Sequence, residues 1–219
     1  DHMPPEDSAG QTRHKFHRTR AKQVIFATGA LERPVVFANN DRPGIMMASA
    51  ARGFLNRYGV LPGNKGVAIL NHDGAMGAVL DLANAGVEFS GVVDVRPNSE
   101  GPLTDQVRAL GINVITNHVV VTTNGHLRVK NVEITEKGQD NIKKTQKLEC
   151  DFVITSSGWN PIVHLHCQAA GKLDWDAEQA CFIPGKVCVT NRHVSVGSAN
   201  GKFSTKDALA DAIKGTKAV

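Results

Sequence analysis

Gly66-Val-Ala-Ile-Leu-Asn-His-Asp-Gly-Ala-Met-Gly77 decides the fold. Val67 to Leu70 form an unbroken apolar run, as a strand buried on both faces requires. The run stops at a short polar turn, Asn71–Gly77, and a helical pattern follows to Gly86, a glycine suited to close a helix. Phe89-Ser-Gly-Val-Val-Asp94 reads as a second strand, Leu103–Leu110 as a helix closed by Gly111, and Val114-Ile115 as a third strand. Strand, helix, strand, helix, strand at this spacing predicts a parallel sheet with right-handed crossovers.

The turn after the first strand is where a phosphate-binding loop belongs. Such a loop needs glycines for the turn, for close backbone approach to a pyrophosphate and for helix packing. Two registers are open. One places Asn71, Asp73 and Met76 at the three positions. The other places His72, Gly74 and Gly77 there and loses only the first glycine. A βα turn capped by Asn71 or Asp73 is the plain structural alternative. Asp94 ends the second strand about 20 residues on, where a carboxylate can accept bonds from a ribose 2′-hydroxyl and favour NAD. Arg96 is its natural ion-pair partner or, alternatively, a 2′-phosphate ligand.

Outward from this unit the pattern changes. Val119–Thr123, Val129–Thr135 and Lys144–Glu149 are short runs between turn residues, predicting an antiparallel meander. Val24-Ile-Phe-Ala-Thr-Gly29 and Phe152-Val-Ile-Thr-Ser-Ser-Gly158 share one grammar, an apolar strand running into hydroxyl residues and glycine. The first reads as a fully buried strand. A strand is also expected near Lys15–Arg20, a helix over Ile45–Tyr58, with Met46, Ala50, Phe54 and Leu55 on one face, and a linker over Leu61–Gly66. His193–Gly197 reads as a strand, Ser204–Ala212 as a helix, and His164, His166 and Cys167 as a surface helix start rather than metal ligands. Asn39–Pro43 suits either a polar ligand or Asx turns.

The chain has 219 residues, 41% hydrophobic and 21% charged, which is ordinary globular composition. A net charge of +4 is too mild to argue for nucleic acid. The basic run Arg13–Lys22 reads as a solvated arm or a strip for an acidic partner. Four cysteines without CxxC spacing argue against a dithiol redox centre and suit a reducing, cytoplasmic setting. No apolar run is long enough for a membrane span.

In order, Arg20–Pro34, Phe37–Gly44, Leu55–Gly63, Val92–Pro97 and Gly158–Pro161 through His164-Leu-His166 resemble the α subunits of heterotetrameric sarcosine oxidases, from about Arg20 to about Ala212. The large subunits of opine oxidases, hydrogen cyanide synthase and dye-linked proline dehydrogenases are similar. The resemblance implies a Rossmann-like, α/β NAD-binding domain with a parallel sheet and an antiparallel meander. That domain is inserted in a partial FAD/NAD(P)-binding domain of the pyridine-nucleotide-disulfide-oxidoreductase type. The expected extents are 1–62 and 151–219 for the partial domain and 63–150 for the insert. It also implies a flavin-dependent amine oxidase that demethylates sarcosine to glycine with hydrogen peroxide. FAD lies in the β subunit, FMN at the α/β boundary and NAD in α. The partners are β, γ and δ subunits, and a C-terminal region passes one carbon to tetrahydrofolate. Carried over by position, Thr28 and Gly29 match one strand-end motif, Gly158 and Pro161 another, and Gly197 and Asn200 a closing nucleotide segment. Gly197-Ser198 departs from the common Gly-Asp, which weakens the case for flavin in this lobe. Thr28, Gly29, Gly158, Gly197 and Asn200, with His72, Asp73, Gly74, Gly77 and Asp94, form the expected cofactor set, and no catalytic residue or metal ligand is expected. The amino-terminal GxGxxG half and the folate region lie outside the chain, which therefore reads as a middle part of such a subunit. A scaffold without nucleotide affinity is the alternative from another class.

Overall fold

The computed structural model describes residues 16–138, 145–188 and 192–217. In chain order the elements are β1 (Val24–Phe26), β2 (Ala30–Glu32), β3 (Ile45–Met47), α1 (Ala48–Tyr58), β4 (Lys65–Leu70), α2 (Met76–Asn84), β5 (Glu88–Asp94), α3 (Pro102–Ala109) and β6 (Val114–Thr116). They continue as β7 (His118–Asn124), β8 (Asn131–Glu136), β9 (Gln146–Glu149), β10 (Phe152–Ser156), β11 (Trp159–Pro161), α4 (His164–Gln168), β12 (Gly171–Asp176), β13 (Cys181–Cys188), β14 (His193–Ser195) and α5 (Thr205–Lys217).

The centre is a parallel sheet in the order β3-β10-β4-β5-β6. Its strands alternate between two cores, because successive side chains of a strand point to opposite faces. Ala68, Leu70, Val92, Phe152 and Ile154 face the helices, against Met76, Val79, Leu82 and Val107. Val67, Ile69, Val93 and Val153 face the other way, against Val132, Ile134 and Leu148 of the antiparallel meander β7-β8-β9. Both faces are thus covered, which is why these strands read as continuous apolar runs.

The sheet takes in residues on both sides of the boundaries expected at 62/63 and 150/151. Ile45–Met47 pairs in parallel with Val153–Thr155, and Phe152–Ser156 pairs with Gly66–Leu70. The helix expected over Ile45–Tyr58 therefore begins only at Ala48. Its buried residues are Ala48 and Ala51, with Leu55 packed beside them, while Phe54 stands exposed. The apolar face is rotated from the one expected, because the first three residues belong to a strand. Gly59, at φ 65°, ends α1 with its N–H on the Leu55 carbonyl. Leu61–Gly66 is a connection inside this unit: the Asp151 carboxylate accepts from the backbone N–H groups of Asn64 and Lys65.

A second unit packs beside the sheet. It holds the parallel pair β1-β14, the hairpin β12-β13, α4 and α5. Two short strands, β2 and β11, pair antiparallel and form the crossing between units. The strand expected to be fully buried, β1, has only β14 beside it among the described residues, and Val24 and Ile25 are 42% and 39% exposed. Residues 16–20 form no strand and are exposed, while Lys15 lies outside the described residues, as does Lys144 before β9. Cys150 and Cys181 are buried, as small hydrophobes are. Burial, with Asp151 and Glu149 adding, pushes the Cys150 thiol up to about 12. Among the described residues no helix is long and apolar enough to cross a membrane.

Candidate functional site

Ligands of open α/β sheets bind beyond the strand carboxyl ends, where the strand order reverses. Here that point lies between β4 and β10: from β4 the chain builds β5 and β6 on one side, and β10 lies on the other. His72, just past β4, shares a 2.8 Å hydrogen bond with the Ser156 hydroxyl at the end of β10, spanning the reversal point. Burial lowers the pKa of the His72 imidazole; nearby Glu32 opposes that shift and Arg96 adds to it.

A cleft of about 570 Å3 opens there, within the usual range for small-ligand sites. Asn71, His72 and Gly74 of the βα turn and Gly158 line one side, and Gln179 and Phe203 of the second unit line the other. His72, Gly74 and Gly158, all read from sequence, are thus brought together. A wider hollow of about 660 Å3 along the outer side of α1 is lined by that one helix and its start, with no convergent groups from other elements.

Asp73 and Asp94 sit in a neighbouring polar chain instead. Asp94, with no exposed surface, accepts from Arg96 Nη2 at 2.6 Å, from Arg96 Nε at 3.0 Å and from the Arg96 backbone N–H at 2.9 Å. That hydrogen bonding raises the Arg96 pKa. Arg96 Nη2 also reaches Ser99, whose hydroxyl meets Thr104, and Thr104 donates to Asp73 at 2.5 Å. The Asp73 carboxylate therefore points to the start of α3, where a Cβ on Gly101 would stand 2.6 Å from it. Asn71 and Asp73 give α2 no side-chain cap; a single 3-10 turn, Asp73–Ala75, leads into it. Gly77 faces the Arg52 guanidinium, which pairs with Asp81 at 2.5 Å.

The remaining expected residues fasten the frame. Thr28 Oγ1 donates to the Ile162 carbonyl at 2.6 Å, and the Gly29 carbonyl accepts from the Ile162 N–H at 2.9 Å. The Gly197 N–H and the Asn200 amide both donate to the Asp211 carboxylate of α5. The Gly197 N–H and the Asn200 amide are thus committed to a carboxylate of the chain itself. Asn39, at φ 61°, bonds Thr122 and Thr123 of the meander, and Arg42 donates to the Gly125 carbonyl. The turn in Asn39–Pro43 is closed by the backbone, with the Arg42 N–H on the Asn39 carbonyl, and the loop fastens to the meander through these side chains. The helix at His164–Gln168 forms, but His166 is buried, bonded to the Lys172 carbonyl and to His193.

Two side chains at the end of β2, Glu32 and the following Arg33, had no motif to announce them. Glu32 accepts from the Ser49 backbone N–H at 2.9 Å and from its hydroxyl, capping α1, whose own N-cap residue gives no side-chain bond. Arg33 donates to the carbonyls of Ser157, Gln179 and Ala180. Acceptors 124 to 147 residues away leave no local signal in sequence.

No family model matches the chain. Over 211 residues it is 41% identical to "Sarcosine oxidase subunit alpha" of Corynebacterium sp. (strain P-1), covering 95% of this chain. The chain is related to one segment of the sarcosine oxidase alpha subunits. The protein of the same name from Rhizobium meliloti (strain 1021) is 35% identical over 187 residues, 85% of this chain. The segment is a small one: the chain spans 21% and 17% of the lengths of these two relatives. Solved structures share the fold. Thioredoxin reductase from T. acidophilum superposes with a TM-score of 0.68 at 18% identity, over 90% of this chain and 64% of that one. L-proline dehydrogenase from P. horikoshii gives 0.54 at 22% identity, over 82% and 30%. The sarcosine oxidase resemblance and the α/β fold read from sequence both hold.

Proposed function

We propose that this chain is the nucleotide-binding and electron-transfer portion of a sarcosine oxidase-type α subunit. The observation that carries the reading is 41% identity across 95% of the chain. The insert then runs from β3 to β10, wider than 63–150, with β2 and β11 as its connections. NAD is the ligand: Gly74 gives its backbone approach at the cleft, Gly158 makes room for Arg33 there, and Asp94 stands at the strand end where a ribose is read. When bound it supplies a nicotinamide ring for hydride exchange. His72, Gly74 and Gly158 position it, and Gln179 and Phe203 exclude water from the far side. No residue here is assigned to C–N oxidation, which belongs to flavin chemistry elsewhere in the complex. The parent enzyme converts sarcosine to glycine with hydrogen peroxide, works with β, γ and δ subunits that supply FAD and FMN, and passes one carbon to tetrahydrofolate.

A second reading has an observation of its own. Asp73, Thr104, Ser99, Arg96 and Asp94 satisfy one another, and His72 stands at the first glycine position. Such a site suits a scaffold that no longer binds nucleotide. Isothermal titration with NAD and NADP decides between them. Saturable binding of NAD, tighter than NADP, is expected; no heat with either at millimolar ligand leaves the scaffold.

A further inference from the structure

Among the described residues, Arg33 is a half-buried cation with no anion paired to it. Its acceptors are three neutral carbonyls: Ala180 at 2.5 Å, Ser157 at 2.9 Å and Gln179 at 3.1 Å. Among the described residues none of the ion pairs includes it. Its Nε is buried and has no hydrogen-bond partner. A buried N–H without an acceptor is costly, and a charged one more so. The guanidinium is therefore held in place but incompletely satisfied.

Its position gives that deficit a direction. Arg33 lines the 570 Å3 cleft with Arg52, while Glu178 is the one carboxylate residue in the lining. The Arg52 charge is already paired with Asp81 through Nε, which leaves Arg33 as the arginine of the lining with no ion-pair partner among the described residues. Room is made for it by Gly158, at φ 100°, where a Cβ would stand 2.7 Å from Arg33 Nη2. The glycine that sequence reading assigns to close ligand approach is thus filled by a guanidinium.

We propose that Arg33 is an anion-binding side chain of this cleft, taking a phosphate or pyrophosphate oxygen. The inference deepens the nucleotide reading and rests on it for the identity of the natural ligand. A turn of the guanidinium toward the cleft exchanges its longest carbonyl contact, Gln179, for a charged acceptor and brings Nε out of its unpaired position. Guanidinium–phosphate bonds are charge-assisted and can be bidentate, which carbonyls cannot match.

Inorganic pyrophosphate tests the anion site without assuming a nucleotide. The 219-residue chain is titrated with pyrophosphate, NAD and nicotinamide riboside, which lacks phosphate, alongside Arg33→Gln and Arg33→Lys. Pyrophosphate and NAD affinity should fall at least about tenfold in Arg33→Gln, as expected for loss of a charged hydrogen bond. Arg33→Lys should keep part of it, and nicotinamide riboside should bind all three proteins alike. Pyrophosphate that fails to bind the parent chain, or binds Arg33→Gln equally well, overturns the proposal. Equal losses for pyrophosphate and nicotinamide riboside overturn it too, since they mark a strut. Pyrophosphate binding without NAD binding supports the anion site and sinks the dinucleotide reading instead. Should Arg33→Gln not fold, modification of the parent chain by phenylglyoxal, mapped by mass spectrometry, gives the same decision. Protection of Arg33 by pyrophosphate supports the site, and an unchanged modification rate refutes it.

Discussion

Removing Arg96 should harm the protein more than neutralising Asp94, although the two form one ion pair. Arg96→Ala leaves the Asp94 carboxylate with no exposed surface and with the residue 96 backbone N–H as what remains of the Arg96 contacts. Stripping one partner from a buried pair costs roughly 3–5 kcal/mol. The Arg96 side chain is 31% exposed, so water screens the pair from one side and the expected loss is about 2–3 kcal/mol. Asp94→Asn keeps shape and an oxygen for that N–H, and lets Arg96 turn to solvent, for about 1 kcal/mol. At about 2–4 °C per kcal/mol for a chain of this size, Arg96→Ala should melt roughly 4–12 °C lower. The double variant should be more stable than Arg96→Ala alone, because it removes the stranded charge. Urea unfolding of all four proteins, compared at equal slope, measures this. A double variant as unstable as Arg96→Ala would show that Asp94 is not held as a buried carboxylate, and the reasoning would fail. Asp94→Asn also frees Arg96 for a 2′-phosphate, so its NADP-to-NAD affinity ratio should rise in the same titrations.

Gly66→Ala places a Cβ 2.5 Å from Phe152 Cζ and 3.0 Å from Phe89 Cε1, both core rings. A loss of about 1–3 kcal/mol is expected, read as a lower urea midpoint; an unchanged midpoint would mean the rings are free to shift. His72 gives a pH dependence. Its folded pKa lies below 6.5, so the unfolded chain binds more protons between the folded value and 6.5. The His72 contribution to stability is complete above pH 6.5 and declines as pH falls toward the folded value. His193, lowered by burial and by His166, contributes with the same sign. His72→Gln should flatten the slope of stability against pH just below 6.5 without abolishing it. An unaltered slope would place the dependence elsewhere.

The parallel sheet was legible because each of its long strands is buried twice. Val67–Leu70 and Phe152–Ile154 must be apolar at every position, and no other element of this length demands that. The turn residues at their ends were legible for the same reason: a strand that stops in a polar turn or at a hydroxyl residue and glycine marks the binding edge. Ile45–Met47 was not, since three apolar residues running into a helix look like its first turn until the partner, more than 100 residues later, is known. The hairpin β12-β13 was missed because its alternation is short and shallow: Gly171 and Leu173 are only half-buried, and Trp175 and Phe182 stand exposed.

The same contrast separates the parts of the site. His72, Gly74 and Gly158 were found because backbone constraint leaves a local trace: a polar residue past a strand, a glycine where φ is positive. Arg33 and Glu32 leave none, since each acts on a segment that only the fold brings near. They are consecutive, Glu32 the last residue of β2 and Arg33 the next, yet Glu32 binds the start of α1 in the insert while Arg33 binds the turn of the second unit and Ser157 just past β10. Glu32 thus fixes the start of α1, while Arg33 alone of the two joins the two sides of the cleft, Ser157 beside Gly158 on one and Gln179 on the other. Of the two bonds, the Glu32 one is a charged acceptor on a helix start and is strong by itself. The Arg33 one rests on neutral carbonyls and leaves Nε unpaired. Arg33 is therefore the weaker of these two fastenings, and an anion in the cleft competes for it.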